Sequence, residues 1–346
     1  MALHKNTDRG YAWVVLVSSW LQLVICGIVY YSPAVVTIGL LETMKEGVFK
    51  TSWVGSTLYG TYMFTAIGSA LMDVSSAVII CHYFDKYLPL ASGLQMSGGG
   101  AGLLMGAPIA RALLDTFGLS GTFLVLGGIG ANACVCGMLF RPSPHEQHTG
   151  TKSKETSGDV TRNLVDQEVD VQSEVRISYV QRLRSTVRDT WSLVFNLSFM
   201  LYVLSYTFWG FGESIIYVHL TNFAESKGTS QQNSAMLFTA IGVTSIIARV
   251  LAGFAGTDPA IGVFMLHTGM VGVAGVLLML CPLLSSSLTR QFVFSSLYGI
   301  FSGGPMALVK PIIVDLVGVK QLATGYGVVN FIGGLGLLLG PPFAGR

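Results

Sequence analysis

Apolar residues in this chain gather in long runs parted by short polar breaks, and the runs predict the elements. Nine helical spans are expected, at about 11–40, 52–72, 89–113, 119–140, 192–222, 233–256, 260–284, 291–317 and 322–343. As helices, these runs can cross the roughly 30 Å apolar core of a bilayer. None alternates apolar and polar with a period of two. A closed barrel is therefore excluded, and helices remain as the way to satisfy the backbone in lipid. One long break, 142–190, is polar and of mixed charge and reads as a linker, with a short surface helix near its end. The expected organisation is a first bundle over 1–141 (four spans plus a remnant), a central loop over 142–190, and a second bundle of five spans over 191–346.

One stretch does not fit the rhythm. "GSALMDVSSAVIICHYFDKYLPLASG" starts as the tail of one span and ends as the head of another. Between Asp73 and Tyr83 lie only the residues Val74 to His82. At about 1.5 Å per residue they are too few to cross a bilayer. Asp73 is expected near a lipid or cavity boundary, with no obvious partner.

Composition agrees with the runs. Hydrophobic residues make up 51% of the 346 and charged residues 11%, against roughly 25% charged in soluble domains. Mean hydropathy is +0.61. No stretch is basic enough for nucleic acid. Cys26, Cys81, Cys134, Cys136 and Cys281 fall in apolar stretches with no metal-ligand spacing and read as packing residues. "SGGGAG" lies inside an apolar helix rather than after a strand, so it is not a phosphate loop. No catalytic dyad stands out, and no metal or cofactor is expected; the chain does not read as an enzyme. Lys5, Arg9, Lys86, Lys320 and the basic residues of the central loop fall on one side, which predicts a cytoplasmic N-terminus. The glycine runs "MSGGGAGLLMGAP" and "NFIGGLGLLLGPP" predict close helix packing.

Two stretches carry a specific likeness. "DRGYAWVV" precedes the first span, and "YFDKYLPLASGLQMSGGGAG" opens a later one. They resemble the two signature motifs of the monocarboxylate transporter family, a branch of the major facilitator superfamily. Asp8, Gly10 and Trp13 match the first motif, while Arg9, Tyr11 and Ala12 depart from it; Tyr83, Phe84 and Lys86 match the second. "YVHL", "DLVG" and "LLGPP" extend the likeness over nearly the whole chain. The resemblance implies an all-α, two-bundle carrier of twelve spans. This chain then lacks span three, most of span four, and span twelve. A splice form, a skipped exon or a fragment would each produce that. The resemblance also implies a plasma-membrane carrier of monocarboxylates or related organic anions, amino-acid-like ones included, working by alternating access. Some relatives have a single-span accessory glycoprotein as partner. The competing reading is a transport-inactive truncated form or an interaction subunit.

Charges inside spans are costly and mark function. Arg249 lies roughly 22 Å below the far end of its helix, counting about fifteen residues of rise. It can hold a carboxylate by two parallel hydrogen bonds, and the resemblance places a substrate-binding arginine there. The alternative is a structural arginine bonded to helix carbonyls. Lys310 either lines the cavity or snorkels toward Asp315. Glu213 and His219 are candidates for a coupling path. A Glu213–Arg249 pair is doubtful, because their depths differ by roughly 9 Å. In proton-coupled relatives a lysine occupies the place of Tyr31 and an aspartate that of Ser245. Neither tyrosine nor serine cycles a proton at neutral pH, so facilitated transport is expected. Tyr31, Ser245, Arg249 and Lys310 are the expected substrate residues.

Overall fold

The structure is a computed structural model that describes residues 8, 10–43, 71–140 and 190–344, the side chains of 30–43 and of scattered positions in later helices excepted. Its first half holds α1 (Tyr11–Thr43), a short α2 (Leu71–Tyr83) and α3 (Leu88–Met138). Its second half holds α4 (Leu197–Ser226), α5 (Gln231–Ala255), α6 (Val263–Leu280), α7 (Leu288–Val317) and α8 (Leu322–Ala344). Among the described residues, six helices are long and apolar enough to cross a membrane. The 30-residue α4 is of comparable length, but its tyrosines, serines and Glu213 dilute its apolar content.

Helix ends follow local chemistry. Asn196 caps α4 by accepting from Phe199 N at 3.2 Å, and Ser230 caps α5 by accepting from Asn233 N. α7 stops at Gly318, whose φ of 77° few other residues adopt. The two expected spans 89–113 and 119–140 form one helical run, broken by the non-helical backbone of Gly118 at φ 63°.

The expected second span, 52–72, lies outside the described residues save Leu71 and Met72. These two belong to the same helix as Val74–His82, so the suspected junction at Met72–Asp73 sits inside continuous helix. Backbone hydrogen bonding is local, and nothing in "LMDVSSAVII" breaks it.

α1 packs on α3, α4 on α8, α5 on α7, and α6 on α7. The halves meet where α3 lies against α5 and α7. One apolar cluster bridges them, joining Ala77, Ile80 and Phe84 to Phe199, Leu308 and Ile312. Contact is closest between α3 and α5 near Pro89. A Cβ on Gly253 would fall 2.6 Å from the Pro89 carbonyl oxygen and 3.1 Å from Gly93 Cα, so only glycine permits this approach.

Candidate functional site: the polar seam between the halves

The two sequence motifs meet. Asp8 N donates to Tyr83 O at 3.0 Å. Its carboxylate accepts from the backbone N–H groups of Asp85, Lys86 and Tyr87 at 3.2–3.3 Å, just ahead of α3. A carboxylate here takes up donors that the start of a helix leaves open. Asp8 and Gly10 both have positive φ, 64° and 58°, which turns the chain onto this loop. Trp13 packs edge-on against Phe84 with ring centroids 5.6 Å apart, and Tyr11 faces Tyr83 at 6.2 Å. The Lys86 ammonium lies over the Tyr87 ring. These residues fasten α1 to the entry of α3.

Beyond Gly93, polar side chains cross between the halves. Gln95 on α3 is fully buried. Its amide nitrogen donates to Ser19 Oγ on α1 at 2.7 Å and to Ser76 Oγ on α2 at 2.8 Å. Its amide oxygen accepts from the Lys310 ammonium on α7. Lys310 is 0% exposed. It therefore does not snorkel toward Asp315, which is exposed. Asp73 has a partner after all, contrary to expectation: Tyr326 on α8 donates its hydroxyl to Asp73 Oδ2 at 2.9 Å. The described part of α2 presents one face to the second half, and Tyr326 meets it there.

Arg249 on α5 reaches across to α3 and donates Nη1–H to the Met96 carbonyl at 2.8 Å. Its Nε–H is buried and has no partner among the described residues. The arginine thus makes the carbonyl contact of the structural alternative, yet keeps a free donor. Glu213 is buried on α4 within electrostatic range of Arg249. The two do not close into an ion pair of the kind that Arg111 and Asp115 make at 3.3 Å.

The other expected residues lie elsewhere. Ser245 is buried where α5 packs on α7, with Gly303 against it. His219 lines a cavity of about 550 Å³ between α4 and α6, with Ile215, Leu220, Phe223 and Leu278, away from Arg249. Tyr31 belongs to α1, but its side chain lies outside the described residues. Sequence reasoning missed Gln95, Ser19, Ser76 and Tyr326. Gln95 was legible as an uncharged polar residue inside an apolar helix, where an unpaired amide is costly. The serines and the tyrosine gave no such signal.

Residues 7–341 match the Major Facilitator Superfamily. Human monocarboxylate transporter 12 is 30% identical over 293 residues, covering 82% of this chain and 55% of the human protein. Human monocarboxylate transporter 2 is 30% identical over 91% of this chain and 65% of its own length. Chicken monocarboxylate transporter 3 is 26% identical over 99% of this chain and 74% of its own length. The chain thus spans little more than half the length of the first of these relatives. The match to the chicken protein extends over 412 positions, longer than this whole chain, so that relative carries residues with no counterpart here. These relatives are transporters by name, not enzymes. With its apolar spans and its two packed halves, the chain is an integral membrane protein that belongs to the Major Facilitator Superfamily, where it is similar to monocarboxylate transporters.

Proposed function

We propose that this protein moves small monocarboxylates, or related organic anions and zwitterions, across the plasma membrane by alternating access, with substrate bound between the halves. The observation that carries this reading is Arg249. It sits at the contact of the two halves with one N–H spent on a carbonyl and the Nε–H buried without a partner among the described residues. A buried guanidinium donor without an acceptor is a place for a carboxylate. The names of the similar proteins support the same substrate class. Transport is facilitated rather than proton-coupled, because Ser245 stands where coupled relatives have an aspartate and Tyr31 where they have a lysine.

The test is initial uptake of labelled lactate and of an aromatic amino acid in cells expressing the chain, with surface protein measured in parallel. Arg249→Ala is expected to abolish uptake at near-normal surface level. Arg249→Lys is expected to rescue little, since lysine lacks the bidentate fork. Uptake at outside pH 6 and pH 7.5 should be similar and indifferent to a protonophore. Acid stimulation that a protonophore collapses would remove the facilitated reading and direct attention to Glu213.

A second reading has an observation of its own. The match to chicken monocarboxylate transporter 3 runs over 412 positions, more than the 346 residues of this chain, so that relative has residues with no counterpart here. A transport-inactive form or an interaction subunit would look like this. Absence of uptake by this chain, with uptake restored by grafting a relative's third and fourth spans at Met72–Asp73, would favour that reading.

A further inference from the structure

One face of α4 carries Tyr202, Tyr206, Trp209 and Glu213 in a row, at the spacing that brings helical side chains into line. All four are buried. The rings follow one another, with centroids 6.5 Å apart from Tyr202 to Tyr206 and 5.3 Å apart from Tyr206 to Trp209. The Trp209 indole N–H is buried and has no partner among the described residues. Glu213 ends the row. Its carboxylate accepts no hydrogen bond and closes no ion pair among the described residues. Arg249 of α5, Tyr206 and Tyr298 of α7 all lie within electrostatic range of it. Tyr206 is within range of both Glu213 and Arg249. A buried carboxylate without a hydrogen bond is costly, and so is a guanidinium donor without an acceptor. A structural pair would lower both costs by closing. These two charges feel one another and do not meet.

We propose that Arg249 and Glu213 hold the two poles of one substrate, a zwitterion whose carboxylate takes the Arg249 Nε–H and whose cationic nitrogen lies against Glu213 beside the Tyr206 and Trp209 rings. This rests on the carrier reading above and narrows it, from monocarboxylates at large to carboxylates that also carry a positive nitrogen. The rings suit the cation, because the π faces of tyrosine and tryptophan are their negative sides. A plain monocarboxylate would satisfy Arg249 and leave the Glu213 carboxylate buried without a partner. That unmet charge, rather than any added contact, is what sets the two classes of substrate apart.

Binding tests this without any need for transport. The full chain in detergent is titrated with three matched pairs that differ only by an ammonium or a hydroxyl on the same carbon: glycine and glycolate, alanine and lactate, phenylalanine and phenyllactate. Affinity is read from the rise of the unfolding midpoint with ligand concentration. In at least one pair the amino acid is expected to bind about ten- to hundredfold more tightly than the hydroxy acid, the scale of one charge-assisted hydrogen bond. Glu213→Gln keeps the size of the side chain and removes its charge, and is expected to erase that preference. Glu213→Asp is expected to keep part of it. Arg249→Ala is expected to lose both members of the pair. If Glu213→Gln does not elute as a single species on gel filtration, the wild-type preference and Glu213→Asp decide. Equal or tighter binding of the hydroxy acid in every pair overturns the zwitterion site and leaves the carboxylate reading standing. So does an equal weakening of both members by Glu213→Gln, which would make Glu213 structural. Binding of none of the six acids overturns both readings.

Discussion

Asp8 shows how much one residue decides when its side chain meets a helix start. Three backbone donors ahead of α3 converge on its carboxylate, and its own N–H is taken by Tyr83. Losing such a cap costs about 1 kcal/mol, within a range of roughly 0.5–2. Asp8→Ala is therefore expected to lower the unfolding temperature of the purified chain by a few degrees. Asp8→Asn, which keeps an acceptor oxygen, is expected to lower it less. Thermal unfolding followed by intrinsic fluorescence measures both, and equal stability of all three proteins would show that the cap carries no weight. Lys310 makes the complementary point. It was legible as an ionisable residue in a span, yet its choice of Gln95 over Asp315 depends on which way α7 is rotated.

At the scale of the element, glycines of similar sequence context do different things. Gly253 of α5 faces the backbone of α3, and its missing Cβ is what lets the two helices touch. At Gly269 of α6, a Cβ would meet nothing within 4 Å. Gly253→Ala is thus expected to destabilise the chain by about 1–3 kcal/mol, the usual range for overpacking. Gly269→Ala is expected to be neutral or to stabilise by up to about 1 kcal/mol, because alanine restricts the unfolded chain and favours helix. Midpoints of irreversible heat aggregation in detergent rank the two. A Gly253→Ala chain as stable as the parent would mean that α3 and α5 have room to part without loss. α2 belongs to this scale too. Its hydrogen-bonding period runs through Met72–Asp73 without a break, although hydropathy marks a seam there.

For the whole molecule, the remaining question is which side of the membrane the Pro89 end faces. Basic residues in the short loops favour a cytoplasmic N-terminus. The start of α1 and the entry of α3 are tied together by Asp8, so they lie on one side. An epitope tag placed within 145–175, and another at the N-terminus, are expected to stain only after permeabilisation. Surface staining of the 145–175 tag in intact cells would reverse the orientation, and the Pro89 end would then face outward.

Much of this organisation was determined by the sequence alone. Hydropathy is a local quantity, so eight of the nine expected spans fall on helices among the described residues, two of them on the single run α3 and one on α4, which is not among the six helices apolar enough to cross a membrane. The motifs pointed to the superfamily that the comparison supports. Ionisable residues in apolar runs marked Arg249, Lys310 and Asp73, because burying charge is costly whatever the fold. Their partners were decided only by tertiary structure. Tyr326 and Asp73 stand 253 positions apart, Lys310 and Gln95 215, and Arg249 and Met96 153. Which pairs meet depends on the rotation and depth of each helix against its neighbours. Those are set by packing across the whole seam, where a polar donor takes the acceptor that the fold brings within reach.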